Sequence, residues 1–308
     1  MMMIYTLTPN PAIDMNISAD SVEMNCVNRT NGALYTPNGK GLNVSFVLQH
    51  YGIASKVLGF FGGFSGNYIV DETMKKGLEV LPVWVDDITR INIFLDVKQD
   101  EYKFVNKGSY VKQDQIQQML QIIRQAKDME CLIVSGSLPD GVSDEFYDDI
   151  VACISERNIK LIIDSSSIKL KALLGSRPFL IKPNDDEIYD IFGIRIQKEE
   201  DVKEVMAYLH TLGAQNILLT MGEKGLYFSN QKALYFCNAY PIELVSSACA
   251  GDSSLASFLS IYLKDEQNIE GALKLASATG ASVAQSKALG DLSRAMQYID
   301  KVEVKEII

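Results

Sequence analysis

Residues 246–253 read Ser-Ser-Ala-Cys-Ala-Gly-Asp-Ser and run into an apolar helical pattern of Leu255, Ala256, Phe258, Leu259, Tyr262 and Leu263. Small residues let backbone N–H groups crowd together at a helix N-terminus, where the dipole favours negative charge. A carboxylate there, at Asp252, would sit beside any bound anion, an arrangement suited to taking a proton next to a phosphoryl group. An ordinary helix with Asp in its first turn has the same local sequence, so the octapeptide alone decides nothing.

Other polar clusters punctuate short apolar runs. They are Thr8-Pro9-Asn10-Pro11 with Asp14, Gly39-Lys40-Gly41-Leu42-Asn43, Arg90-Ile91-Asn92, Ser135-Gly136-Ser137-Leu138-Pro139, Lys182-Pro183-Asn184 through Glu187, and Thr220-Met221-Gly222-Glu223-Lys224-Gly225. Glycine on either side of Lys40 suggests a close backbone approach to a ligand, although a solvated lysine in a flexible turn explains that stretch equally when it is taken alone. It is not a P-loop, because Gly41 stands where Ser or Thr is required, and the glycines at 59, 62, 63 and 66 lack dinucleotide spacing.

The elements that must position these clusters follow from periodicity. Strands are expected at 4–7, 12–17, 56–60 and 80–85. In the second, Ile13, Met15 and Ile17 would share one face, with Asp14 and Asn16 on the other. Residues 27–35 read as extended, with a tight turn at Asn31-Gly32. Residues 89–96 and 102–106 form a hairpin around Gln99-Asp100, set apart as a small sheet. A helix follows Lys40 as far as Tyr51. Beyond residue 110, helices (113–126, 144–156, 198–212, 252–264, 268–285) alternate with strands (131–134, 161–163, 179–181, 216–219), and 226–228 with 233–237 make an antiparallel edge pair. Short strands apolar on both faces imply a mostly parallel sheet covered by helices on both sides. Every polar cluster then falls at the C-terminal end of a strand, where open α/β sheets bind ligands.

The 308 residues are 47% hydrophobic and 22% charged, a globular composition that suits one main domain over 1–308. A formal net charge of −10 argues against non-specific nucleic-acid binding. Five scattered cysteines read as reduced thiols, and two histidines far apart give little support to a zinc site or a His-based triad. No stretch approaches a membrane span and no basic leader is evident, so a cytoplasmic protein without membrane contact is expected.

Taken together and in order from residue 8 to 253, the clusters resemble those of the ribokinase-like sugar kinases, the phosphofructokinase B family, and most nearly its branch with 1-phosphofructokinase and tagatose-6-phosphate kinase. The resemblance implies a three-layer α/β/α fold with a mostly parallel central sheet and a small β-lid formed by about 12–35 and 84–107. It implies ATP-dependent phosphorylation of a ketohexose monophosphate to the bisphosphate, with Mg²⁺. Asp252 would be the base and the amides of Ala250, Gly251 and Asp252 the anion hole. Asp14 and Asn43 would bind sugar hydroxyls, with Gly39 and Gly41 allowing the approach. Lys40 and Arg90, assisted by Ser137 and Arg29, would take the phosphate the sugar already carries. Lys182, Asn184, Thr220, Gly222, Gly225, Ser247 and Gly251 would face ATP, and Asn184 and Glu187 would act on the metal largely through water. A homodimer through the lid is implied as well. A kinase of an unphosphorylated sugar or nucleoside is the rival within the family, opposed by Lys40 and Arg90. A catalytically weak sugar-phosphate-binding regulator is the rival outside it.

The sequence departs from the family pattern at Asn38 and Cys249, each in place of a glycine, and more mildly at Ser257. A non-glycine residue forced to positive φ costs on the order of 1 kcal/mol or more. A thiol beside a helix N-terminus is expected to have a lowered pKa and hence redox sensitivity.

Overall fold

Strand β1 (Met3–Thr8) buries Ile4, Tyr5 and Leu7, as a strand flanked by helices on both faces must. The computed structural model, which describes residues 2–98 and 100–308, sets it inside a ten-stranded sheet. The chain then leaves that sheet, because β2 (Ala12–Ala19) and β3 (Ala33–Asn38) belong to a separate four-stranded one. Helix α1 (Lys40–His50), β4 (Ser55–Gly62), α2 (Gly63–Lys75) and β5 (Glu79–Val85) return to the large sheet. Strands β6 (Ile91–Val97) and β7 (Asp100–Phe104) complete the small one.

A regular alternation follows: α3 (Gln113–Gln125), β8 (Met129–Ser135), α4 (Glu145–Ile154), β9 (Lys160–Asp164), α5 (Leu170–Leu173), β10 (Leu180–Ile181), α6 (Asp185–Phe192), α7 (Glu199–Leu212) and β11 (Asn216–Thr220). Strands β12 (Leu226–Ser229) and β13 (Leu234–Cys237) come next, then α8 (Ala250–Tyr262), α9 (Ile269–Ala284) and β14 (Val304–Glu306).

The large sheet runs β14-β13-β12-β11-β10-β9-β8-β1-β4-β5, parallel from β11 to β5 and antiparallel at the β12–β14 edge. From β1 the chain builds outward through β4 and β5, then crosses back to β8 and builds the other way. That reversal opens a crevice at the C-terminal strand ends between β1 and β8. One face is covered by α3 to α7, around Leu132, Phe146, Ile188 and Met206. The other is covered by α1, α8 and α9, around Val44, Phe228, Phe258 and Leu273. The layers are therefore α/β/α. In the small sheet, β2 lies between β3 and β6, with Asp14 beside Asn92 in register.

Several expectations shift. The extended segment at 27–35 is strand only from Ala33, and 20–32 form a long loop closed by the Asn31 N–H on the Ser18 carbonyl at 2.8 Å, so the tight turn at Asn31-Gly32 does not form. Residues 84 and 85 belong to β5 of the large sheet, so the second lid segment starts at Ile91. Gln99 of the expected hairpin turn lies outside the described residues. Strand β14 has too few apolar residues to announce itself and forms because β13 offers it an open edge.

Phe258 is fully buried, with its ring centroid 5.0 Å from Phe228 and 4.9 Å from Tyr262. Phe258→Ala is expected to cost about 3–5 kcal/mol, read as a fall in the denaturant midpoint with an unchanged m-value.

Candidate active site

Strand β9 ends on Asp164, whose carboxylate is 0% exposed. Its Oδ1 accepts from Lys182 Nζ at 3.2 Å and from Lys40 Nζ at 3.3 Å. Burial alone would push this carboxyl up, but the Lys182 and Lys40 ammoniums reverse that and hold it below the usual carboxylate range. Lys40, at the start of α1, also lies 3.7 Å from Glu187 Oε1. Asp164 above all, then Asp252 and Glu187, raise its pKa against burial. Three segments distant in sequence thus meet at one buried ion cluster.

Asp252 lies in the first turn of α8, 6% exposed, and its Oδ2 accepts from Asn43 Nδ2 at 2.9 Å. Burial and the nearby Asp164 push its carboxyl up to about 6, against Lys40, Asn43 and Lys182. Ala250 and Gly251 open the same helix, where the first N–H groups lack intrahelical partners. The Ala250 N–H reaches the Ser247 carbonyl at 3.4 Å, leaving the Gly251 and Asp252 amides as the better donors. A Cβ on Gly251 would stand 3.4 Å from Lys182 Nζ. The helix start and a buried cation therefore border the same small volume beside a carboxylate that can hold a proton.

The small sheet supplies a second polar cluster. Asp14 Oδ1 accepts from Asn92 Nδ2 at 2.9 Å and Oδ2 from Asn38 Nδ2. Burial raises the Asp14 carboxyl despite those two amides and Arg90. Arg90 donates to the Asn10 carbonyl at 3.0 Å and to the Asn106 carbonyl at 3.3 Å, and its buried Nε has no partner among the described residues. Exposed Ser137 accepts from Asn10 Nδ2 at 3.3 Å, so Arg90, Asn10 and Ser137 form one group. Arg29 does not join it. It is exposed in the 20–32 loop and makes no ion pair or hydrogen bond among the described residues.

The glycines beside Lys40 are required by packing. A Cβ on Gly39 would stand 2.3 Å from Thr8 Cγ2, and one on Gly41 2.8 Å from the Leu7 carbonyl oxygen. The close approach they permit is to the end of β1. It presses the Lys40 turn onto the crevice floor.

Asn184 caps α6 by a reciprocal box. Its Oδ1 accepts from the Glu187 N–H at 2.7 Å, and Glu187 Oε2 accepts from the Asn184 N–H at 3.0 Å. The remaining Glu187 oxygen faces Lys40. Thr220 ends β11 in a bridge to Asn184. Gly222 opens the turn beyond it at φ 54°, and Gly225 closes it. A Cβ on Gly225 would lie 2.2 Å from the Cys237 carbonyl oxygen, so that glycine is required by packing. Ser247 is exposed in the loop before α8. Among the described residues no three His, Cys, Asp or Glu side chains could together hold a metal ion. Magnesium bound mainly by water and phosphate oxygens needs no such cage. Asp164 Oδ2 is buried without a partner among the described residues, and Glu187 stands in the same cluster, so the donors present fit a water-mediated Mg²⁺.

Cys249 is the α8 N-cap at φ 64°, ψ −9°. The position does need positive φ. The expectation for its thiol is overturned, because burial, then Asp252 and Asp14, push the thiol pKa up rather than down. Two residues of the site, Asp164 and Asn92, carry no role in the sequence analysis. The signal for Asp164 was a carboxylate closing a fully apolar strand. That for Asn92 was its place opposite Asp14 in parallel strands.

The family model for pfkB family carbohydrate kinases matches residues 10–295. A D-tagatose-1-phosphate kinase of Klebsiella oxytoca is 45% identical over 305 residues, covering 99% of this chain and 100% of that one. A 1-phosphofructokinase of Bacillus subtilis (strain 168) is 31% identical over 306 residues, with 99% and 100% covered. In solved structures, phosphofructokinase-2 from Escherichia coli in complex with fructose-6-phosphate has the same fold at a TM-score of 0.89 and 23% identity, covering 98% of this chain and 99% of that one.

Asp164→Asn leaves two ammoniums without their carboxylate and is expected to destabilise by about 3–5 kcal/mol, read by chemical denaturation. Cys249→Gly relieves about 1–2 kcal/mol of left-handed strain and returns about half of that as unfolded-chain freedom. A net gain of up to about 1 kcal/mol is expected in the same measurement. With so weakly acidic a thiol, wild type and Cys249→Ala are expected to lose activity to iodoacetamide at equal rates at neutral pH.

Proposed function

The chain belongs to the pfkB family of carbohydrate kinases, and from that premise we propose that it transfers the γ-phosphoryl group of ATP to the free C6 hydroxyl of a ketohexose 1-phosphate, giving the 1,6-bisphosphate. The observation that carries the reading is Asp252, a buried carboxylate with a raised pKa beside a helix N-terminus and two lysines. The relatives at 45% and 31% identity, named for tagatose 1-phosphate and for phosphorylation of a fructose phosphate, support a ketohexose phosphate as acceptor.

In this reading Asp252 accepts the proton of the attacking hydroxyl as the oxygen–phosphorus bond forms. The Gly251 and Asp252 amides, with Ala250 beside them, stabilise charge on the transferring group together with Lys182. Lys40 joins them. The sequence expectation set it on the phosphate the sugar carries, but its ammonium stands between Asp164 and Glu187. That leaves Arg90 and Ser137 for the sugar's own phosphate, to which a guanidinium's planar fork of donors is suited. Asp14 and Asn43 orient sugar hydroxyls. Lys182, Asn184, Thr220, Gly222 and Ser247 border the nucleotide. Bound Mg²⁺ would neutralise phosphate charge, held through water by Glu187, Asn184 and the free oxygen of Asp164.

The small sheet exposes Leu34, Tyr35, Tyr102 and Phe104, and Val105 follows directly after it. These apolar side chains support a homodimer formed through that sheet. No described helix is long and apolar enough to cross a membrane, in keeping with a cytoplasmic enzyme.

An ADP-release assay with fructose 1-phosphate, tagatose 1-phosphate, fructose 6-phosphate and tagatose 6-phosphate tests the acceptor. Turnover is expected with the 1-phosphates, and turnover with a 6-phosphate alone would move the attacking oxygen to C1. Asp252→Asn is expected to lower kcat by at least about 10²-fold. Because the active form of Asp252 is the carboxylate, wild-type kcat/KM should fall as pH drops through about 6. The raised pKa also means that the ionised group costs the fold stability above that pH. Asp252→Asn should therefore melt a few degrees higher while losing activity.

A further inference from the structure

Asn38 ends β3, and its successor Gly39 caps α1, so it stands where the small sheet joins the helix carrying Lys40 and Asn43. Its side chain spans that junction. Nδ2 donates to Asp14 on β2, while Oδ1 accepts from the Gly39 N–H at 2.6 Å and from Asn43 Nδ2 at 2.7 Å. Asn43 donates onward to Asp252 Oδ2 at 2.9 Å, and on the far side Asn92 of β6 donates to Asp14 Oδ1 at 2.9 Å. One unbroken series of donors and acceptors thus links Asn92, Asp14, Asn38, Asn43 and Asp252. Among the described residues no other side chain joins Asp14 to Asn43.

The chemistry of the link is specific. A primary amide presents a donor and an acceptor from one planar group, as bridging a carboxylate to another amide requires. The Asn43 nitrogen has two hydrogens and three acceptors within reach, namely Asn38 Oδ1, Asp252 Oδ2 and, at 3.3 Å, Cys249 Sγ. With one hydrogen held by Asn38, the other is aimed at Asp252. Without that anchor the amide can turn toward the sulfur and leave Asp252 unoriented.

We propose that Asn38 is a positioning residue that fixes the Asn43 amide on Asp252 and ties the orientation of that base to the seating of Asp14 in the small sheet. This rests on the reading of Asp252 as the base. A sugar hydroxyl engaging Asp14 acts on the same amide that steadies Asn43, so acceptor binding and base alignment become one event.

The test compares Asn38→Gly and Asn38→Ser in the wild-type and Asn43→Ala backgrounds, with folded fractions measured by circular dichroism. Both single variants are expected to lower kcat about tenfold, the scale of a modest misplacement of a reacting group, with a smaller change in KM for the sugar phosphate. In the Asn43→Ala background the same changes should cost less than about threefold, because residues acting through one another are not additive. The proposal is overturned by kcat within about twofold of wild type, by a loss confined to KM, or by equal factors in both backgrounds. A loss in the glycine variant alone also overturns it, since that would be a backbone effect. Asp252→Asn separates the two levels. If it remains fully active, the base assignment falls and takes this proposal with it; if it is inactive while the Asn38 variants are normal, only the proposal fails.

Discussion

The carboxylate of Asp164 is the constraint on which the crevice depends. Lys182 is almost wholly buried and Lys40 half-buried, and both point at the same oxygen. Two ammoniums so placed would repel one another if nothing negative stood between them. The Asp164 carboxylate offsets that repulsion. The arrangement is expensive in isolation, since desolvating three ions offsets most of their attraction. The cluster is therefore weak evidence for stability in its own right.

The same carboxylate differentiates its neighbours. Three of the acids in the crevice are aspartates, and their surroundings push them apart. Asp164 is held low by two cations, whereas Asp252 is lifted to about 6 by burial and by Asp164 itself. Asp14 is lifted by burial but moderated by two amides. A pair of acids separated in this way can divide its work, with one remaining a fixed charge and the other exchanging a proton. The division comes from placement, because an aspartate is an aspartate in each case.

Much of this was legible in the sequence where the cause is local. Two-sided apolar runs announced β8, β9 and β11, and the polar residues closing each run marked the crevice. The Asn184 to Glu187 spacing marked a polar cluster after β10, and the structure makes of it a reciprocal helix cap. What could not be read were effects that depend on distant partners. Asp164 finds Lys40 across 124 positions, and nothing in either stretch names the other. The glycines flanking Lys40 signalled a close approach correctly, but only the packing reveals that the neighbour is β1. The Cys249 thiol departs from expectation for the same reason, since the helix dipole is visible in the sequence, whereas the burial of the thiol and the approach of Asp14 are not.

The two departures from the family pattern, Asn38 and Cys249, also look unrelated in the sequence. In the fold they meet on one atom, because the Asn43 amide nitrogen lies within reach of both and of Asp252. The side chain that Asn38 adds gives that amide an anchor, and the one that Cys249 adds gives it a competing, weak acceptor while straining the backbone at the α8 N-cap. Sulfur accepts poorly, so the oxygen anchor decides where the amide points. A glycine at 249 alone would relieve strain and leave the anchor intact, whereas a glycine at 38 alone would leave Asn43 facing the sulfur. The two positions therefore carry unequal weight. Asn38 anchors the amide that donates to Asp252, and Cys249 is tolerated beside it.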